Sequence, residues 1–290
     1  MVKKFIIITT ARSGSQMLCE FLTMQKNIVC EYELLQAHKE IKFNRGNSKP
    51  LFHFKRILGE DPSQYVGNRN RNFIQYLSIW ENIFPCKYFG FKVFFKSHLG
   101  THKLPPEDAI SYEDFAKYVK DHDIKIIHLT RDNLFLKYIS LRTSKITGVT
   151  SSSRGREINS IGIEVVYKDF IKWKKNLIQE EKNVVDFLNR NSIDYYHITY
   201  ENLIGKEYDT YYKDILSFIG EDPEVFIDIK KAGTQMKKKI NIHSLRYKVL
   251  NLENLIEEAT SANDTELLET INIELAKEND ILVHGATLPR

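Results

Sequence analysis

"KFIIIT" (residues 4–9) runs straight into "TARSGSQML" (residues 10–18), and the reading of this passage decides the fold. An unbroken apolar, β-branched run is a strand buried on both faces, the kind found in parallel sheets. Beyond it Met17, Leu18, Phe21 and Leu22 recur at helical spacing, so strand, tight turn and helix follow one another. In that geometry the N–H groups of the helix N-terminus and the helix dipole both favour an anion. Gly14 lets the backbone approach closely, Ser13 and Ser15 add hydroxyl donors, and Arg12 supplies a planar fork matched to phosphate or sulfate oxygens. The bland alternative is a Ser/Gly turn that only caps a helix. Two nucleotide fingerprints are absent. The triphosphate loop G-x-x-x-x-G-K-[ST] would need an earlier glycine and a lysine, and the dinucleotide loop would need G-x-G.

The remaining composition narrows the class. At 290 residues, 42% apolar and 28% charged, the chain reads as an ordinary soluble globular protein. A net charge of +4 suits an anionic ligand but is too small to imply nucleic acid. No apolar run approaches the roughly 18 residues of a membrane span. The opening "MVKKFIIITTARSG" has too short an apolar core for a signal peptide and reads as a first strand, so a cytoplasmic location is expected. Cys19, Cys30 and Cys86 show no C-x-x-C spacing, which points to small buried side chains in a reducing compartment. No metal-ligand cluster is visible.

Four further β-rich runs follow: "NIVCEY" (27–32), "YFGFKVFF" (88–95), "IKIIHLT" (124–130) and "DYYHIT" (194–199). Helical patterns lie between and after them, at 164–190, at 206–219 (stopped by Gly220 and then Pro223), and at 251–278 as two helices parted near "TSAND". The expected fold class is α/β: a P-loop-like parallel β-sheet flanked by helices, with a helical C-terminal portion, in one domain over residues 1–290. The polar segments 38–75 and 147–160 read as insertions on the substrate side, the second as a loop rich in Ser and Gly.

"KIIHLTRDNLFLKYISLRTSK" (125–145) repeats the strand–turn–helix theme. Arg131 falls at the carboxyl end of a parallel strand, on the same edge as the first loop, and Ser140 a little over two helical turns on. An arginine and a hydroxyl there suit a second phosphate, so the two motifs together suit a nucleotide phosphorylated at both ends of its ribose.

"TARSGSQML", "RDNLFLKYIS" and "ITYENL", in this order, resemble the signatures of sulfotransferases that use 3′-phosphoadenosine 5′-phosphosulfate (PAPS). The likeness is to the bacterial-type carbohydrate enzymes, which include the trehalose and Nod-factor sulfotransferases, and it spans residues 5 to about 245. The resemblance implies that Arg12, Ser13, Gly14, Ser15 and Gln16 bind the 5′-phosphosulfate. It implies that Arg131 and Ser140 bind the 3′-phosphate and that Tyr200 lies near the adenine. It maps "KKAGTQMKKK" (230–239), with Thr234, Lys238 and Lys239, loosely onto a loop that closes over the nucleotide; a solvated lysine face and a nucleic-acid patch are the alternative readings. The chain departs from the animal cytosolic members in carrying Arg12 where they carry lysine. Its spacing of nine from Arg131 to Ser140 is one longer than theirs.

Sulfuryl transfer, like phosphoryl transfer, is an in-line displacement governed by positioning and cationic stabilisation, and removing one such donor costs about 10²–10³ in rate. Arg12 and the loop amides can supply that stabilisation, and the acceptor hydroxyl needs a base. Glu33, in "NIVCEYELLQ", resembles the base of the carbohydrate enzymes, although Tyr32 stands where they have glycine; Glu31 is expected to point away from it. A helix-start carboxylate is the plain alternative for Glu33. His98, in "FFKSHLG", resembles the base element of the cytosolic enzymes and is the second candidate; as a lone histidine it also reads as an ordinary satisfied residue. Lys92 interrupts the apolar "GFKVFF", which is unfavourable unless it is paired or reaches the site edge.

The expected activity is therefore a PAPS-dependent sulfotransferase acting on a hydroxyl of a carbohydrate or glycolipid, without nucleic acid, membrane span or metal. A P-loop-like nucleotide kinase and a non-catalytic nucleotide- or glycan-binding protein are the competing readings. The acceptor and the oligomeric state are not legible.

Overall fold

The computed structural model describes residues 2–33, 86–99, 110–148, 161–228 and 245–283. Five strands form one parallel sheet: β1 (Lys3–Thr9), β2 (Ile28–Glu31), β3 (Tyr88–Phe94), β4 (Lys125–Thr130) and β5 (Tyr195–Thr199). All five coincide with the uninterrupted apolar runs, within a residue or two at each end. Their order is β2-β3-β1-β4-β5. The connection leaving β1 therefore heads to one side of the sheet, and those leaving its neighbours β3 and β4 head to the other. The carboxyl end of β1 is therefore the topological switch point, the place where open parallel sheets bind ligands.

The helices are α1 (Ser15–Met24), α2 (Phe95–His98), α3 (Tyr112–Asp121), α4 (Leu134–Thr147), α5 (Tyr167–Arg190), α6 (Tyr200–Ile204), α7 (Tyr208–Ile219), α8 (Leu245–Lys248), α9 (Leu252–Ser261) and α10 (Thr265–Val283). By internal contacts the chain forms two compact units, one of residues 1–130 and 181–228, the other of residues 131–180 and 229–290.

The first unit holds the sheet, with a core on each face. On one face Ile6 and Ile8 of β1, Phe89, Phe91 and Val93 of β3 and Ile126 of β4 pack with Phe115 and Val119 of α3 and with Val184, Phe187 and Leu188 of α5. The alternate residues Phe5 and Ile7 point the other way, to the side of α1 and α7, where Phe21 and Tyr212 bring their ring centroids within 3.8 Å. Gly90 is required there: a Cβ on it would lie 2.2 Å from the Phe5 ring. Cys19 and Cys30 are buried in this layer as apolar groups, and burial and the neighbouring Cys19 thiol push the Cys30 thiol well up. Gly220 ends α7 in the left-handed conformation that its sequence position announces.

The second unit is a helical core in which Phe135, Tyr138 and Ile139 of α4 pack with Phe170 of α5, Leu245 of α8, Leu255 and Ala259 of α9, and Leu267 and Ile271 of α10. The expected pair of C-terminal helices is α9 and α10. No described helix is long and apolar enough to cross a membrane.

Candidate anion-binding site

β1 ends at Thr9, whose hydroxyl donates to the Leu129 carbonyl of β4 at 2.8 Å and so fixes where the chain leaves the sheet. The next residues form a compact loop in which Arg12 (φ 68°) and Gly14 (φ 79°) both take the left-handed conformation, with Ser13 between them. For a residue with a Cβ this state is disfavoured by about 1–2 kcal/mol, so Arg12 is held there by its surroundings. Gly14 is the N-cap of α1. It offers no side chain to close the helix end, and the first turn carries no acidic residue. The turn therefore does not serve as an ordinary side-chain cap. A helix end of this kind favours an anion.

Tyr200, the first residue after β5, lies directly on this loop. A Cβ on Gly14 would come 2.3 Å from its Cδ2. The neighbouring Thr199 and Asn202 close a capping box that fixes the start of α6 and hence the placement of Tyr200. Glycine is thus doubly required at position 14, by backbone torsion and by the ring above it. Ser13 is fully buried, and its Oγ lies 3.2 Å from Thr10 Oγ1; Thr10 Oγ1 in turn donates to Glu181 Oε1 at 3.3 Å.

Gln16 Nε2 donates to Glu20 Oε1 at 2.7 Å, one turn along α1. Tyr32 OH donates to the same oxygen at 3.4 Å, and the Tyr32 ring stands 5.4 Å from Lys92 Nζ. Lys92, buried in β3, forms an ion pair with Glu33 Oε1 at 2.9 Å, and its Nζ also lies 5.2 Å from the centre of the Phe94 ring. The charge that interrupted an apolar strand is therefore paired. A polar series runs from Gln16 in the first turn of α1 to Glu33 past the end of β2.

Glu33 and Glu31 do diverge, but for a reason other than strand alternation, which would put residues two apart on one face. β2 ends at Glu31 and the chain bends at Tyr32. Glu33 thereby meets Lys92, while Glu31 stays in register with Phe91 on the opposite face. Burial pushes the Glu31 carboxyl up to about 7. Desolvation followed by the Glu20 charge likewise raises the Tyr32 hydroxyl. His98 closes the short α2 and is buried. Its Nδ1 accepts from the Phe94 N–H at 3.2 Å, which in the neutral ring leaves the proton on Nε2.

In the second unit Arg131 is the residue after β4 and Ser140 lies in the second turn of α4; both are half-buried. Asn133 caps α4, accepting from the Leu136 N–H at 2.9 Å and donating to Glu274 Oε1 at 3.3 Å. Lys248 is held below the usual lysine range by burial and then by the Arg131 charge, against the opposing pull of Glu274 and Glu278. Thr234, Lys238 and Lys239, the segment 38–75, and all of 147–160 except Thr147 and Gly148 lie outside the described residues. Among the described residues no group of three or more His, Cys, Asp or Glu is placed to hold a metal.

Sequence reasoning did not single out Glu181 or the raised carboxyl of Glu31. Glu181 lies in a run of lysines and glutamates on α5 that reads as a solvated face. Glu31 differs from an exposed strand-end carboxylate only through burial.

No protein-family model matches the chain, and no curated protein sequence matches it. Among solved structures it is similar to a sulfotransferase from Alicyclobacillus acidocaldarius, at 12% identity and a TM-score of 0.44, covering 95% of this chain and 97% of that one.

Proposed function

We propose that the chain is a PAPS-dependent sulfotransferase that transfers a sulfuryl group to a hydroxyl of a carbohydrate or glycolipid in the cytoplasm. The observation that carries the reading is the loop after β1. It is a glycine-capped helix end with Arg12 and Gly14 both left-handed, set at the carboxyl end of β1 and overlaid by Tyr200. Its residues fit a phosphosulfate better than a magnesium triphosphate, because the loop offers an arginine fork and hydroxyls and lacks the lysine and early glycine of a triphosphate loop.

In this reading Arg12 and the amides of residues 13–16 stabilise the charge that develops on the bridging oxygen as the sulfur–oxygen bond to the 5′-phosphate breaks. Tyr200 offers a ring to the adenine, and Arg131 and Ser140 take the 3′-phosphate. Thr234, Lys238 and Lys239 close over the nucleotide. Glu33 takes the acceptor proton as the new oxygen–sulfur bond forms. It is preferred to His98 because the Lys92 pair orients one carboxylate oxygen and no hydrogen bond among the described residues engages the other, whereas Nδ1 of His98 is engaged by backbone. No metal takes part in the proposed chemistry.

Calorimetric titration with adenosine 3′,5′-bisphosphate, beside ATP with magnesium and adenosine 5′-phosphate, tests the reading. Tight binding that requires the 3′-phosphate and weakens in Arg12→Ala and Arg131→Ala is expected. A preference for ATP with magnesium, or no nucleotide binding at all, would sink it.

A further inference from the structure

We propose that Glu181 is a positioning residue for the anion loop, locking the Thr10 and Ser13 hydroxyls into a clamp so that Ser15, not Ser13, presents its hydroxyl to the bound oxyanion. The proposal rests on reading that loop as a site for phosphate- or sulfate-type groups. It follows from counting protons. An ionised carboxylate only accepts, so in the 3.3 Å contact with Glu181 Oε1 the proton belongs to Thr10. A threonine hydroxyl has one proton. In its 3.2 Å contact with Ser13, Thr10 must then be the acceptor and Ser13 the donor. The only hydroxyl proton of Ser13 is thereby committed to the protein, and toward an oxyanion that oxygen has lone pairs alone to offer.

Burial does not separate the two serines, Ser13 being fully enclosed and Ser15 nearly so, and the assignment rests on the hydrogen bonds. Ser13 sits between the two left-handed residues Arg12 and Gly14, so anchoring it fixes the orientation of the Arg12 fork and of the amides that follow. Ser15 opens α1 at the dipole end, with no such commitment among the hydrogen bonds of the described residues. Glu181 thus acts on the ligand at second hand, from a helix position 171 residues away in sequence from the loop it shapes.

A double-mutant cycle read by calorimetric titration with adenosine 3′,5′-bisphosphate, and in parallel with inorganic pyrophosphate, tests the clamp. Glu181→Ala and Ser13→Ala are each expected to weaken binding about tenfold, the loss typical of one hydrogen-bonded link. Together they should weaken it no further, because both break one series. Ser15→Ala should also cost about tenfold, but combined with Glu181→Ala it should multiply to about a hundredfold. Glu181→Gln should bind like the wild type, since its amide oxygen still accepts from Thr10. Should Glu181→Ala fail to fold, Thr10→Val with Ser13→Ala runs the same cycle. Multiplying losses for Glu181→Ala and Ser13→Ala, wild-type affinity in Glu181→Ala, or no rescue by Glu181→Gln would each overturn the clamp. A wild type that binds pyrophosphate but not the bisphosphate would overturn the sulfotransferase reading alone and leave the cycle readable with pyrophosphate. Binding of neither probe would overturn both.

Discussion

At the scale of single residues, position 14 carries the most constraint. Gly14→Ala must hold a Cβ at φ 79° and place it 2.3 Å from the Tyr200 ring. The torsion alone costs about 1–2 kcal/mol, and the ring must also move. Urea unfolding should show a loss of at least that size together with weaker nucleotide binding, and an unchanged midpoint would contradict the contact. Glu31 makes a different kind of prediction. Its folded-state pKa, raised to about 7 from an ordinary 4.5, means that the folded protein binds the proton more tightly than the unfolded chain. The stability this gives is complete below about pH 4.5 and drains away as pH rises to about 7. Glu31→Gln, which cannot ionise, should flatten that part of the profile and be more stable than the wild type at pH 8. Parallel wild-type and variant profiles from pH 4.5 to 8 would show that burial does not govern this carboxyl.

At the scale of elements, α4 shows how one residue sets both a helix start and a polar contact. Asn133 accepts from the Leu136 N–H and donates to Glu274, a buried carboxylate of α10. Asn133→Ala should lower stability by about 1–2 kcal/mol, the usual loss on removing an N-cap. Asn133→Asp keeps the cap but sets a second carboxylate against Glu274, so it should fall short of the wild type at neutral pH and recover on acidification. A pH-independent defect in the aspartate variant, followed by denaturant melts, would remove Glu274 from the account. The helix patterns themselves were readable from spacing: apolar residues every three or four positions marked α5, α7, α9 and α10, and Gly220 marked a C-terminus. Lys92 was legible only as an anomaly. What resolves it is Glu33, brought to it by a bend that nothing in "VCEYE" signals.

At the scale of the whole molecule, a doubly phosphorylated nucleotide that binds only the folded chain must raise its stability, by about 2.7 kcal/mol at a hundredfold excess over Kd. Because the attraction is between charges, the effect should shrink at high ionic strength, where screening acts within a few ångströms. Thermal melts with adenosine 3′,5′-bisphosphate in low and high salt should show this, and an equal rise with unphosphorylated adenosine would argue for base stacking instead of phosphate capture. The five strands, their parallel pairing and the anion-suited loop were determined by the sequence alone, because each is written in a contiguous run: unbroken β-branched residues, a helical repeat, a glycine two residues after an arginine. The strand order β2-β3-β1-β4-β5, the Tyr200 ring on Gly14, the Lys92–Glu33 pair and the hydrogen bond from Thr10 to Glu181 were decided only by the tertiary structure. Each joins segments distant in the chain. Which distant partners meet depends on how the whole core packs, and no local pattern of residues records that.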